Sequence, residues 1–199
     1  MTAVTIALFL VLLLWALAEA FSWPIVPDAA LAAAVFMFPG IAIWGTLAVV
    51  IGSAIGGTAA ITLYRRGNGW PMPMVTDRMR ERVSHWLDSG PRGLIYQPLT
   101  AVPYKVFVVD AAQRNIAVAT WALLTVVFRA PRMAAAAALA TLGALGIERI
   151  VPPGILGSAK TVVLVAGIIV FLIGWRLAWR FWARSGSSPM AGDRARTVR

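Results

Sequence analysis

The 199-residue chain is 60% hydrophobic and only 13% charged, with a mean hydropathy of +0.79, which is more apolar surface than a soluble fold of this size can hide. Its net charge of +10 lies mostly in two basic blocks outside the apolar stretches, an arrangement that suits anionic lipid headgroups better than nucleic acid. The absence of cysteine excludes disulfides, thiol catalysis and cysteine metal sites.

These features predict an all-α, polytopic membrane protein. A single membrane domain covers residues 1–183, with about five or six spanning or dipping segments at roughly 20 residues per span. A basic, flexible tail over residues 184–199 follows and is expected in the cytoplasm. The first basic residue is Arg65, so the N-terminal apolar run is read as a permanent helix and not as a secretory signal.

Residues 4–21 form the first apolar segment, with Glu19 near its far end. Pro24 and Pro27, three apart, then break the helix, and the apolar stretch 29–38 before Pro39-Gly40 is too short to cross. A re-entrant hairpin is predicted, its loosened backbone buried in protein or lining a wet cavity. Residues 41–64 make a full-length span containing Gly52, Gly56 and Gly57. The spacing of Gly52 and Gly56 lets two helices approach closely, within the chain or in a homo-oligomer. The aromatic and basic run Tyr64-Arg65-Arg66 marks an interface.

Val75, Met79, Val83, Trp86 and Leu87 recur at three- and four-residue steps with Arg78, Arg80, Glu81 and Arg82 on other faces. This pattern predicts an amphipathic helix lying on the membrane surface, or alternatively one packed on another domain. The stretch 94–112, with Pro98, Pro103, Tyr104, Lys105 and Asp110 scattered through it, predicts a second re-entrant hairpin. Residues 116–128 are too few for a crossing and are read as the returning arm of that hairpin, ending at Arg129-Ala130-Pro131-Arg132. Two further spans are expected at 133–150 and 161–178, separated by Pro152-Pro153-Gly154. Trp175, Trp179, Phe181 and Trp182 read as an interfacial anchor. Two crossings then separate the basic blocks at 65–92 and 176–199, so both can face the cytoplasm, with the hairpins opposed and meeting near the midplane.

Ionisable groups inside hydrocarbon cost several kcal/mol unless paired or hydrated. Glu19, Asp28, Lys105, Asp110, Arg129 and Arg132 are therefore the candidate functional residues, either as structural pairs or as a transport site where broken helices meet. Two other classes stay open: a non-catalytic membrane scaffold, and an intramembrane hydrolase using Asp28 and Asp110 as a proton-sharing pair. The lone His85 reads as a solvated interfacial residue. No nucleotide, zinc or nucleophile motif is present, so no cofactor, no metal and no nucleic-acid partner is expected.

The order Glu19, Pro24-Ile25-Val26-Pro27-Asp28, Gly52-Ser53-Ala54-Ile55-Gly56-Gly57 and Tyr64-Arg65-Arg66-Gly67 resembles the first half of the DedA, or VTT-domain (SNARE-associated), membrane proteins. Pro98-Leu99-Thr100-Ala101-Val102-Pro103-Tyr104-Lys105-Val106-Phe107 looks like that family's proline-tyrosine-lysine hairpin, and Arg129 with Arg132 resembles its closing arginine pair. The small size and the Pro-Ile-Val-Pro-Asp motif look most similar to the YqaA-like branch, and the resemblance covers about residues 18–132. It implies two opposed re-entrant hairpins and movement of phospholipids or polyprenyl phosphate carriers between leaflets, as a flippase or scramblase, in some members coupled to an ion gradient. On that expectation Arg129, Arg132, Lys105 and Tyr104 meet an anionic headgroup, while Glu19, Asp28 and Asp110 exchange protons.

Overall fold

The computed structural model describes residues 2–21, 26–68, 75–100 and 102–184, and for residues 179 and 181–184 the backbone alone. The first proline break, including Pro24, and the tail from residue 185 lie outside the described residues, as do the side chains of Trp179, Phe181 and Trp182. Every regular element among the described residues is helical. In chain order they are α1 (Ala3–Glu19), α2 (Pro27–Met37), α3 (Ala42–Arg65), α4 (Asp77–Asp88), α5 (Tyr104–Gln113), α6 (Val118–Ile150) and α7 (Leu156–Arg184). Short 3-10 turns at Pro39–Ile41 and Pro153–Ile155, and a longer 3-10 stretch at Pro91–Leu99, join them.

Among the described residues, three helical stretches are long and apolar enough to cross a membrane: Pro39–Arg65, Val118–Ile150 and Pro153–Ala178. α1 and α2 are apolar but shorter, at 17 and 11 residues. Local chemistry fixes several helix ends. Pro27 stands in the first turn of α2, where its missing N–H is not needed. The Thr2 and Thr76 hydroxyls accept from the backbone N–H of Thr5 and Met79, each at 3.3 Å, capping α1 and α4.

α1 and α3 run side by side and in the same direction, and glycine permits it. A Cβ at Gly56 would lie 2.5 Å from the Leu17 carbonyl oxygen, and one at Gly52 would run into the Leu13 carbonyl. Both glycines are buried against α1, so their close-packing face is used within the chain and is not presented to a second copy. Beyond α2, the chain reverses into α3, then α6 returns antiparallel to α3. Arg65 joins these ends, donating from Nη2 to the Ile116 carbonyl at 2.6 Å and from Nε to the Ala112 carbonyl at 3.4 Å.

Three expectations are corrected. First, the apolar stripe of α4 is covered by protein, not left to lipid. Met79, Val83 and Leu87 are buried against α5 and the 3-10 stretch, and Trp86 stacks on Tyr96 and Phe107 at centroid distances of 5.2 and 5.8 Å. Second, residues 116–128 are not a separate returning arm. α6 is one helix of 33 residues with Pro131 inside it, about 50 Å long at 1.5 Å per residue. The proline removes one backbone donor, a loss that neighbouring helices can compensate. Third, α7 begins at Leu156, five residues before the expected span, and Lys160 Nζ meets Glu148 Oε1 of α6 at 2.5 Å beside the connecting turn.

The returning arm of the second proline element is α5 instead. The 3-10 stretch starts against α4, where a Cβ at Gly93 would run into the Trp86 carbonyl. α5 ends against α4 too. There Arg114 Nη2 reaches Asp88 Oδ1 and Ser84 Oγ, both at 2.7 Å, and Nε reaches Asp110 Oδ2 at 2.6 Å. Hydrogen bonding to Asp88, reinforced by Asp110, pushes the Arg114 guanidinium further above its ordinary pKa. The tip of this reversal, between Pro98 and Tyr104, points to the middle of α6. The end of α1 and the start of α2 reach the same level, where Glu19 and Asp28 meet Arg129 and Arg132 of α6.

The core divides accordingly. One apolar cluster gathers Ile61, Val83, Leu94, Phe107 and Trp121, and another gathers Leu12, Leu31, Val35, Val49 and Met133. Along α6, Trp121 belongs to the first and Met133 to the second, and Arg129 lies between them.

Candidate functional site

Two carboxylates and two guanidiniums converge on the middle of α6. Arg129 Nη2 lies 2.8 Å from Glu19 Oε2, and Arg132 Nε lies 2.6 Å from Asp28 Oδ1. Arg132 also donates from Nη1 to the Pro98 carbonyl at 2.7 Å. One arginine thus ties the start of α2 to the 3-10 stretch, and the other ties the end of α1 to α6.

The two arginines differ in access. The Arg129 side chain is 1% exposed, whereas that of Arg132 is 37% exposed. Arg129 Nε and Nη1 are buried and make no hydrogen bond among the described residues. Its guanidinium carbon sits 4.7 Å from the centroid of the Tyr104 ring, where the aromatic face offers partial charge compensation.

Tyr104 is held from three sides. Its hydroxyl shares a 2.8 Å hydrogen bond with Thr125 Oγ1 and accepts from Trp121 Nε1 at 3.0 Å. On α3, Gly57 leaves the slot that the hydroxyl occupies, since a Cβ there would run into Tyr104 Oη. Pro103 stands at the N-cap of α5 and Pro98 lies inside the 3-10 stretch, so the two prolines delimit the tip that carries Tyr104 inward.

Beside this cluster lies a polar chamber of about 370 Å³. Glu19, Asp28, Gln97, Thr100, Tyr104 and Arg132 supply its polar wall, and Phe171 and Trp175 of α7 face it from the other side. Gln97 is 6% exposed and its Oε1 has no hydrogen-bond partner among the described residues. A buried carbonyl acceptor left open is costly unless a donor arrives.

Two candidate residues fall elsewhere. Lys105 is buried on α5 but is not part of the chamber wall. Asp110 is engaged by Arg114 at the α4 end of α5, whereas Asp28 is engaged by Arg132. The two aspartates therefore do not form a proton-sharing dyad. No cluster of three or more metal-ligating side chains exists among the described residues. Trp175, expected in an interfacial anchor, instead faces the chamber, and Gln97, Thr100, Trp121 and Thr125 were not anticipated. Gln97 and Thr100 flank Pro98, and their place beside that break is the one local signal that could have marked them.

An arrangement of this kind can bind an anion by charge-assisted hydrogen bonds to the accessible guanidinium, in a medium where such bonds gain strength from the low dielectric. The chamber also offers acceptors, from Gln97 and the two carboxylates, to a donor on the same ligand. Comparison with protein-family models, with curated proteins and with solved structures finds no match for this chain.

Proposed function

We propose that this chain is a membrane transport protein that moves phosphate-bearing lipids, phospholipid or polyprenyl phosphate, between the leaflets of a bilayer. The observation that carries the reading is the position of Arg132. It lies midway along a 33-residue apolar helix, is 37% exposed, and lines a polar chamber whose wall also carries Glu19, Asp28 and Gln97. A charge in that place is a functional group by default, and broken helices around a mid-membrane polar site are the architecture of transporters.

On this reading the α1–α2 reversal and the 3-10–α5 reversal are opposed re-entrant hairpins, as the resemblance to DedA or VTT-domain proteins implies. The non-helical backbone at Val26 and Thr100 is tolerated because it lines a cavity. The headgroup phosphate sits against Arg132, its acyl chains stay outside the chamber, and Asp28 and Glu19 are the groups available for proton exchange. α6 and α7 are the two crossings between the basic blocks, which puts both blocks on the cytoplasmic side of a bacterial inner membrane.

A scaffold reading draws on one observation, the sealed Glu19–Arg129 pair, which neutralises itself without a ligand. The discriminating experiment reconstitutes the purified protein in liposomes and follows leaflet asymmetry of phospholipid and of polyprenyl phosphate, with and without a proton gradient. Protein-dependent movement of either lipid is expected. Rates equal to protein-free vesicles for both lipids under both conditions would leave the scaffold.

A further inference from the structure

An apolar cleft of about 780 Å³ opens between α2, α6 and α7. Small residues predominate on two of its walls, with Ala29 and Ala33 from α2 and Ala136 and Ala140 from α6, while α7 presents Gly167 among larger apolar residues such as Phe171. Facing helices with such residues could close on one another. Here they stand apart, and a Cβ built at Gly167 meets no atom within 4 Å. The volume lies within the roughly 300–1,000 Å³ of small-molecule sites.

The cleft adjoins the polar chamber: Val26 and Phe171 belong to the walls of both. Of the two neighbouring spaces, the cleft is hydrocarbon-lined. The other carries the accessible Arg132 guanidinium and the buried, unpartnered Gln97 Oε1. Its third wall is α7, which lies beyond the residues 18–132 that carry the family resemblance.

From this juxtaposition we infer that the cleft is the binding site for a hydrocarbon chain of a membrane lipid whose anionic headgroup occupies the chamber at Arg132. The inference rests on the transport reading for the headgroup and deepens it by giving one hydrocarbon chain of that lipid a site between α2, α6 and α7. Hydrocarbon gains little by exchanging bilayer for a protein wall. Occupancy of the cleft therefore depends on the head end, where a charge-assisted hydrogen bond contributes about 1.5–3 kcal/mol, or about tenfold or more in population.

The test uses a phospholipid with a photoactivatable group midway along one acyl chain, in vesicles containing the full chain, with labelled positions read by mass spectrometry. Labelling of the cleft wall at Ala33, Ala140 and Gly167 is expected about tenfold above the outward face of α7 at Val170 and Ile173. Gly167→Leu, whose side chain has open space to fill, should abolish that excess while thermal unfolding stays unchanged. Ala33→Leu is the second filling variant. Equal labelling of both faces, or an excess that survives both filling variants, overturns the inference. Movement of the same lipid between leaflets is scored in parallel. Cleft labelling without movement keeps the chain site and removes the transport reading, and movement with even labelling does the reverse.

Discussion

Arg132 Nε lies 2.6 Å from Asp28 Oδ1, a pairing between residues 104 positions apart that joins the start of α2 to the middle of α6. Three residues earlier on the same helix, the fully buried Arg129 makes the equivalent pairing with Glu19, whose side chain is 11% exposed. The two pairs share chemistry and differ in access to solvent.

That difference predicts unequal costs. Arg129→Gln leaves Glu19 buried without its partner and should destabilise by about 3–5 kcal/mol. Arg132→Gln, at a pair that opens on the chamber, should cost less than the Arg129 change. Thermal unfolding in detergent measures both. The double variant Glu19→Gln with Arg129→Gln should regain most of the stability lost in the single change.

Gly57 and Tyr104 should behave as one unit. Gly57→Ala places a methyl where the Tyr104 hydroxyl stands, and overpacking of this kind costs about 1–3 kcal/mol. Combining it with Tyr104→Phe removes the clashing oxygen and should be less destabilising than the sum of the single changes, measured by a double-mutant cycle in thermal unfolding.

The close approach of α1 and α3 predicts that Gly52→Val or Gly56→Val reduces the yield of folded monomer, because each new side chain meets the α1 backbone. Size-exclusion chromatography with circular dichroism should show loss of folded protein. A folded variant with only its self-association changed would instead place those glycines between copies.

Asp110 predicts a local effect. Asp110→Asn weakens its bond to Arg114 and so the attachment of α5 to α4, which hydrogen exchange should report as faster opening of the α5 end. Asp28→Asn should leave that end unchanged, since Asp28 is bound to Arg132. Identical exchange effects of both changes would contradict this division.

Much of the helical organisation was readable from local sequence. Pro27 opens α2, Pro103 caps α5, and Gly52 with Gly56 mark a close helix crossing, because each acts through its own backbone geometry. The continuity of α6 was not readable. Arg129-Ala130-Pro131-Arg132 has the composition of a helix break, and what overrides it is tertiary: Glu19, Asp28 and the Pro98 carbonyl arrive from distant segments to hold both arginines. The partner of α4 was hidden for a similar reason. An amphipathic stripe suits lipid or protein equally, and the stacking of Trp86 on Tyr96 and Phe107 decides it. The chamber's far wall depends on where α7 packs, which no local pattern encodes.

The rate at which a fluorescent phospholipid changes leaflet in vesicles, compared between the unaltered chain and Arg132→Gln at equal amounts of folded, reconstituted protein, tests the central claim most directly. A lost charge-assisted hydrogen bond of about 1.5–3 kcal/mol predicts a rate lower by about tenfold or more. Equal rates for the two proteins would mean that the Arg132 chamber does not carry the lipid.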